Sequence, residues 1–222
     1  MIKFENTEVM NLKGAIRGMR NPLNSWEKSD SVFYEKECES DCPGCKGCVV
    51  VDHMCIKLGE NDLDLARRLI KAGSDHRKFL RQIFVSVDIT APLYWWKEFD
   101  TYKVATVANS CSTMHTIHKK KFTLDDFSHE HLSGGSYQAL VFTIKALNDA
   151  RSNYLELKNK AFWWNMIQLL PSSYNQKRTV TLNYETLRNI YGSRRGHKLN
   201  EWSTGFMKWI ESLPYAEYLI MS

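Results

Sequence analysis

The chain has 222 residues, 43% hydrophobic and 25% charged, with a formal net charge of +5. This composition excludes a disordered chain and is long enough to bury a substantial core. The charge is mild: it suits small anions such as nucleotides, and the basic residues carry no nucleic-acid-binding motif.

Seven Trp, ten Tyr and ten Phe point to a large core or to stacking surfaces. No apolar run approaches a membrane span, and the first ten residues lack a signal-peptide core. The expectation is a cytoplasmic protein with reduced cysteines.

Residues 1–30 begin with a short apolar segment and continue through Gly14, Gly18 and Pro22, which reads as turn-rich. Arg17 and Arg20 sit among these glycines, either as an anion contact or as solvated loop arginines. Cys38, Cys42, Cys45, Cys48 and Cys55 follow, with His53 nearby and Pro43, Gly44 and Gly47 between them. Thiolates so spaced on tight turns can converge on one tetrahedral zinc. Cys38, Cys42, Cys45 and Cys48 are the candidate ligands, and unligated or redox-active cysteines are the alternative. The first three also match a radical-type iron–sulfur spacing, but too few strand–helix repeats follow to build the barrel such enzymes need. The run, at about 36–57, reads as an insertion within a single domain.

From Asn61 the pattern is helical, with Leu65, Ala66, Leu69 and Ile70 on one face and Gly73 as the stop. A second short helix is expected to carry His76, Arg77 and Arg81. Ile83, Val85, Val87 and Ile89 then alternate with Ser86, Asp88 and Thr90, the period-two signature of a half-buried strand. Pro92 suits the first turn of the next helix, which carries Trp95, Trp96 and Phe99. Residues 100–115 are β-branched and end in Ser110, Ser112 and Thr113. Such hydroxyls with free backbone N–H groups can cradle a phosphate, or simply form a polar turn after a strand.

A polar loop spans 118–137; its His129 and His131 have no other evident ligands. Helical spacing returns from Gln138 to about Lys160 and from Phe162 to Leu170. The last third is basic, with a strand at 179–183, a helix carrying Asn189, Arg194 and Arg195, and then Lys198. Its arginines could grip a phosphate bidentately or form a solvated face. Trp202, Phe206, Trp209 and Ile210 mark a final helix for core or subunit interface. No Rossmann, P-loop or nucleophile-elbow fingerprint is present.

Three blocks together resemble the flavin-dependent thymidylate synthase (ThyX) family over roughly residues 61–212. They are LARRLIKAGSDHRKFLRQIFVSVDITAPLYWWKEF, NSCSTMH at 109–115, and LLPSSYNQKRTVTLNYETLRNIYGSRRGHKLNEW at 169–202. The resemblance implies a mixed α/β fold, a central sheet flanked by helices with the cysteine loop inserted. It also implies a homotetramer that binds FAD, dUMP, a reduced folate and NADPH, and methylates dUMP reductively.

On that resemblance, Ser110, Ser112, Thr113, Arg194 and Lys198 fall on the nucleotide. Arg81, Lys103, Asn189 and Arg178 fall toward flavin or phosphate, and His76 orients folate or flavin. The family's Arg-His-Arg signature is replaced by Asp100-Thr101-Tyr102, with Lys103 the one cation there. Counting from it reaches Ser110, whereas aligning Asn109 selects Ser112. The family's following Arg-Tyr becomes Met114-His115. Each lost charge-assisted bond is worth about 1.5–3 kcal/mol, and Asp100 is expected to repel a bound anion. A non-catalytic nucleotide-binding member is the alternative these departures leave open.

Overall fold

The structure is a computed structural model and describes residues 2–34, 49–51 and 54–222. Cys38, Cys42, Cys45, Cys48 and His53 lie outside the described residues. In chain order the elements are β1 (Lys3–Met10), α1 (Leu12–Met19), β2 (Val32–Tyr34), β3 (Val49–Val51), β4 (Met54–Lys57) and α2 (Glu60–Lys71). Then come β5 (Phe84–Pro92), α3 (Leu93–Phe99), β6 (Val107–Ser110), α4 (Thr113–Thr116), α5 (Gly134–Leu157) and α6 (Lys160–Leu169). The chain finishes with β7 (Asn175–Asn183), α7 (Tyr184–Arg194), α8 (Met207–Glu211) and α9 (Ala216–Leu219). Strands pair in the orders β1-β5-β7-β6 and β2-β4-β3, giving a mixed α/β fold with helices flanking sheets.

The chain divides into two compact units. One comprises Met1–Lys3, Ile89–Thr101 and Asn109–Arg178; the other comprises Phe4–Asp88, Tyr102–Ala108 and Thr179–Ser222.

In the unit that holds α5 and α6, Ile117, Phe122, Phe127, Leu140, Leu147 and Met166 form a buried cluster. Trp95 stacks on Phe99 with centroids 5.0 Å apart and meets Trp96 edge-on at 4.9 Å. The first N–H groups of α3 have no partner inside the helix. Leu93 N donates instead to Tyr174 O and Tyr94 N to Ser172 O, both at 3.0 Å. α5 is 24 residues long, yet it buries only Leu140, Leu147 and Ala150. Phe142 is 68% exposed and Trp164 44%.

The other unit begins with a departure from the sequence expectation. Residues 12–19 form α1 rather than a turn, because Leu12, Ala15, Ile16 and Met19 fall on one face and all are buried. The glycines that suggested turns mark close approaches instead. At Gly14 a Cβ would strike the Asn11 side chain, and at Gly18 it would lie 2.8 Å from Gln82. Arg20 is neither an anion contact nor solvated. It is 3% exposed, and its Nε donates to Asp62 Oδ1 at 2.6 Å.

Asp62 sits in the first turn of α2 with no exposed surface. Its Oδ2 accepts from Ser29 Oγ at 2.7 Å, Ser31 Oγ at 2.6 Å and Ser31 N at 3.2 Å. Burial works to raise its pKa. The bonds from Ser31, Ser29 and Arg20, with the charge of Arg20, outweigh that and hold it below the ordinary aspartate value.

β5 follows its alternation: Ile83, Val85, Val87 and Ile89 are fully buried. Asp88, on the opposite face, accepts from Asn6 Nδ2 at 3.0 Å and from Thr179 Oγ1 at 2.6 Å. These bonds tie β5 to the strands on either side. Cys55, read with the cysteine run, is a buried residue of β4 in register with Tyr34 and Val50. Among the described residues, no helix is long and apolar enough to cross a membrane.

Candidate functional site

In the first unit the hydroxyl turn is built on the end of β6. Ser112 caps α4, its Oγ accepting from His115 N at 3.1 Å. Cys111 N donates to Lys177 O at 3.0 Å, which anchors the turn to β7. Gln176 then reaches across: its Nε2 donates to Cys111 O at 3.0 Å and to Thr113 Oγ1 at 3.1 Å. Arg178 Nε donates to Gln176 Oε1 at 3.0 Å, so the guanidinium fixes the orientation of the amide that holds the turn. Arg178 is itself held twice. It pairs with Asp100 at 2.7 Å, and it lies over the Trp96 ring at 4.2 Å from the centroid.

This corrects the expected role of Asp100. Its carboxylate is matched by Arg178 and does not stand as an uncompensated negative charge. Arg178 in turn is a clamp on the turn, already paired. Ser110 remains exposed at the end of its strand.

In the second unit the site is built on α7. Asn183 caps it, accepting from Thr186 N at 2.9 Å, and Thr186 Oγ1 donates to Val104 O at 3.2 Å. That second bond secures the segment carrying Tyr102 and Lys103. Arg194, at the end of α7, donates through Nε to Tyr102 Oη at 2.8 Å. Its guanidinium lies 5.1 Å from the Trp202 ring and 5.6 Å from the Tyr102 ring. Trp202 belongs to a π-helical turn at Glu201–Phe206, a widened geometry often found at functional positions. Arg194 is thus oriented before any ligand arrives.

Earlier in α7, Glu185 is buried and pairs with Arg77 Nε at 3.0 Å, with Arg81 Nε at 3.8 Å. Arg81 also donates to Ser74 O at 3.1 Å. The short helix expected to carry His76, Arg77 and Arg81 is a 3₁₀ turn at Lys78–Gln82 that carries Arg81, and His76 lies exposed just before it. Asn189 is exposed on α7, and Lys103 and Lys198 are exposed in loops.

The candidate residues therefore fall into two groups. Ser110, Ser112, Thr113 and Arg178 belong to one unit; His76, Arg81, Lys103, Asn189, Arg194 and Lys198 belong to the other. Gln176 and Glu185 organise these groups and were missed by sequence reasoning. Gln176 had no signal of its own. Glu185 is an acidic residue at a buried position of a helix rich in cations, which is a readable one. Among the described residues, no group of three or more His, Cys, Asp or Glu side chains is placed to hold a metal.

The sequence matches no protein-family model and no curated protein. Its fold does match solved structures. Flavin-dependent thymidylate synthase ThyX from Helicobacter pylori, complexed with FAD and dUMP, superposes with a TM-score of 0.65 at 16% identity. The match covers 97% of this chain and 98% of that one. A second crystal structure of ThyX from Helicobacter pylori with FAD and dUMP gives the same TM-score and identity over 99% and 97%. The chain has the fold of the flavin-dependent thymidylate synthases over essentially its whole length.

Proposed function

We propose that the chain is a single ThyX-like domain with a cysteine-rich insertion, and that it acts on a pyrimidine nucleotide in the manner of a flavin-dependent thymidylate synthase. The reaction is the reductive methylation of dUMP to dTMP, with methylene-tetrahydrofolate and NADPH as the other reactants. The observation that carries this reading is Arg194. The sequence resemblance matches it to the family's nucleotide-contacting arginine, and Tyr102 and Trp202 hold it in one orientation. A preoriented guanidinium loses little entropy on gripping a phosphate. Ser110, Ser112, Thr113 and Lys198 are the further nucleotide contacts that the resemblance implies.

The residues present fit a phosphorylated flavin on charge, since Glu185 pairs with Arg77 and Arg81 and the charges of Arg77 and Glu185 both act on Arg188. Bound FAD would supply the hydride. Arg81, Lys103 and Asn189 would hold it, and Arg178 would act through Gln176 on the hydroxyl turn.

The second reading is a binding protein without catalysis. What favours it is the replaced signature: Asp100 engages Arg178, and Tyr102 stands where the family has a cationic cluster. The ultraviolet–visible spectrum of the purified protein separates the two. The catalytic reading expects flavin bands that persist through desalting after FAD is supplied, and rescue of a thymidine-requiring bacterium. A protein that stays colourless with excess FAD sinks the flavoenzyme reading.

We further propose a homotetramer. Phe142 and Trp164, with Val141, Leu157 and Leu169, are apolar side chains of α5 and α6 left exposed, which a subunit interface would cover. Phe142→Glu is expected to shift the mass measured by light scattering down to that of one chain. An unchanged mass removes this helix face from the interface. The cytoplasmic location, and zinc on Cys38, Cys42, Cys45 and Cys48, stand as proposals from sequence.

A further inference from the structure

We infer that a cavity of about 450 Å³ beside α7 binds a phosphate-bearing ligand through Arg77, Arg188 and Arg195. Asn189, Tyr191 and Ser193 complete the α7 side, and residues 220–222 form another wall.

Charge is the first argument. Three guanidiniums line the cavity, and the nearby carboxylate, Glu185, is already shared between Arg77 and Arg81. Arg188 is half-buried, and its Nη1 donates to Ile220 O at 2.9 Å. No carboxylate pairs with it among the described residues. Burial and then the neighbouring Arg77 push the pKa of Arg188 down, and Glu185 only partly offsets them. Like charges held together where two of them are half-buried carry a cost that a bound anion relieves.

Chemistry and size are the second. Guanidinium forks match phosphate oxygens bidentately. The volume falls within the range of about 300–1,000 Å³ usual for small-ligand sites. It leaves room beyond the phosphate for an attached group, which Tyr191 and Met221 would meet with apolar surface. The charge argument is independent of the function proposed above; only the identification of the ligand as FAD or a nucleotide rests on that reading.

The test is isothermal titration of the full chain with inorganic pyrophosphate, then with FAD and with dUMP. Arg195→Gln alters an exposed residue, and Arg188→Gln keeps an amide donor for the Ile220 carbonyl. Lys208→Gln, an exposed change on α8, controls for net charge. Saturable pyrophosphate binding is expected. Each arginine variant should weaken it about tenfold, while Lys208→Gln stays within about twofold. Competition between pyrophosphate and FAD would place the flavin phosphates here. Pyrophosphate binding without FAD binding would keep the site and remove the flavin reading. Absence of pyrophosphate binding, or equal weakening by all three variants, overturns the inference even if FAD still binds.

Discussion

Asp62→Ala is expected to destabilise the protein by about 3–5 kcal/mol, the cost of breaking a buried ion pair from one side. The carboxylate is fully buried, and four donors converge on it from Arg20, Ser29 and Ser31. Its removal strands the Arg20 guanidinium in a site where Nη2 already lacks a partner. Domains are stable by only about 5–15 kcal/mol in all, so the variant should melt at much lower temperature or fail to accumulate. Exchanging both members for apolar residues, Arg20→Met with Asp62→Leu, is expected to cost less than the single change, because no charge is left behind. Urea unfolding of the three proteins decides it. A single variant within about 1 kcal/mol of the parent would show that water reaches the site.

The same residue sets an acid limit. Its pKa is held below the usual aspartate value, so its stabilisation is complete above the unfolded value of about 3.9. As pH falls through the lower, folded value, that stabilisation is lost. Asp62→Asn should remove this part of the acid dependence, read from melting temperatures across the acid range.

On the proposed function, Arg194→Ala is expected to weaken dUMP binding by about 10- to 100-fold, the equivalent of one charge-assisted or bidentate contact. Tyr102→Phe is the sharper variant. It keeps the ring beneath the guanidinium and removes only the oxygen that accepts from Nε. Its effect should be smaller, about three- to tenfold, and should come without loss of thermal stability. Arg194→Lys should not restore binding, because an ammonium cannot reproduce the fork or the stacking on Trp202. Titration with dUMP supplies the numbers. Wild-type affinity in Arg194→Ala would exclude it from nucleotide recognition.

Much of the fold was legible because burial writes periodicity into sequence. Ile83 to Ile89 alternate and are buried on one face; Pro92 precedes a helix whose Trp95, Trp96 and Phe99 are buried. α1 was misread because glycine signals both turns and close packing, and only the neighbours Asn11 and Gln82 tell which. Arg20 was misread because its partner lies 42 residues away. The site was legible in residue type but not in pairing. Asp100 and Arg178 are 78 residues apart, and nothing local says that one neutralises the other. Tyr102 counted as a lost cation, whereas it is the acceptor that orients a cation it does not replace.

The buried carboxylate also bears on the small sheet. Asp62 binds Ser29 and Ser31 just before β2, while β4, which follows the cysteine segment, pairs Lys57 with Val32 and Cys55 with Tyr34. The clasp therefore sits at the start of β2, the strand that β4 pairs with. A change at Asp62 is thus felt in the small sheet as well as at the start of α2.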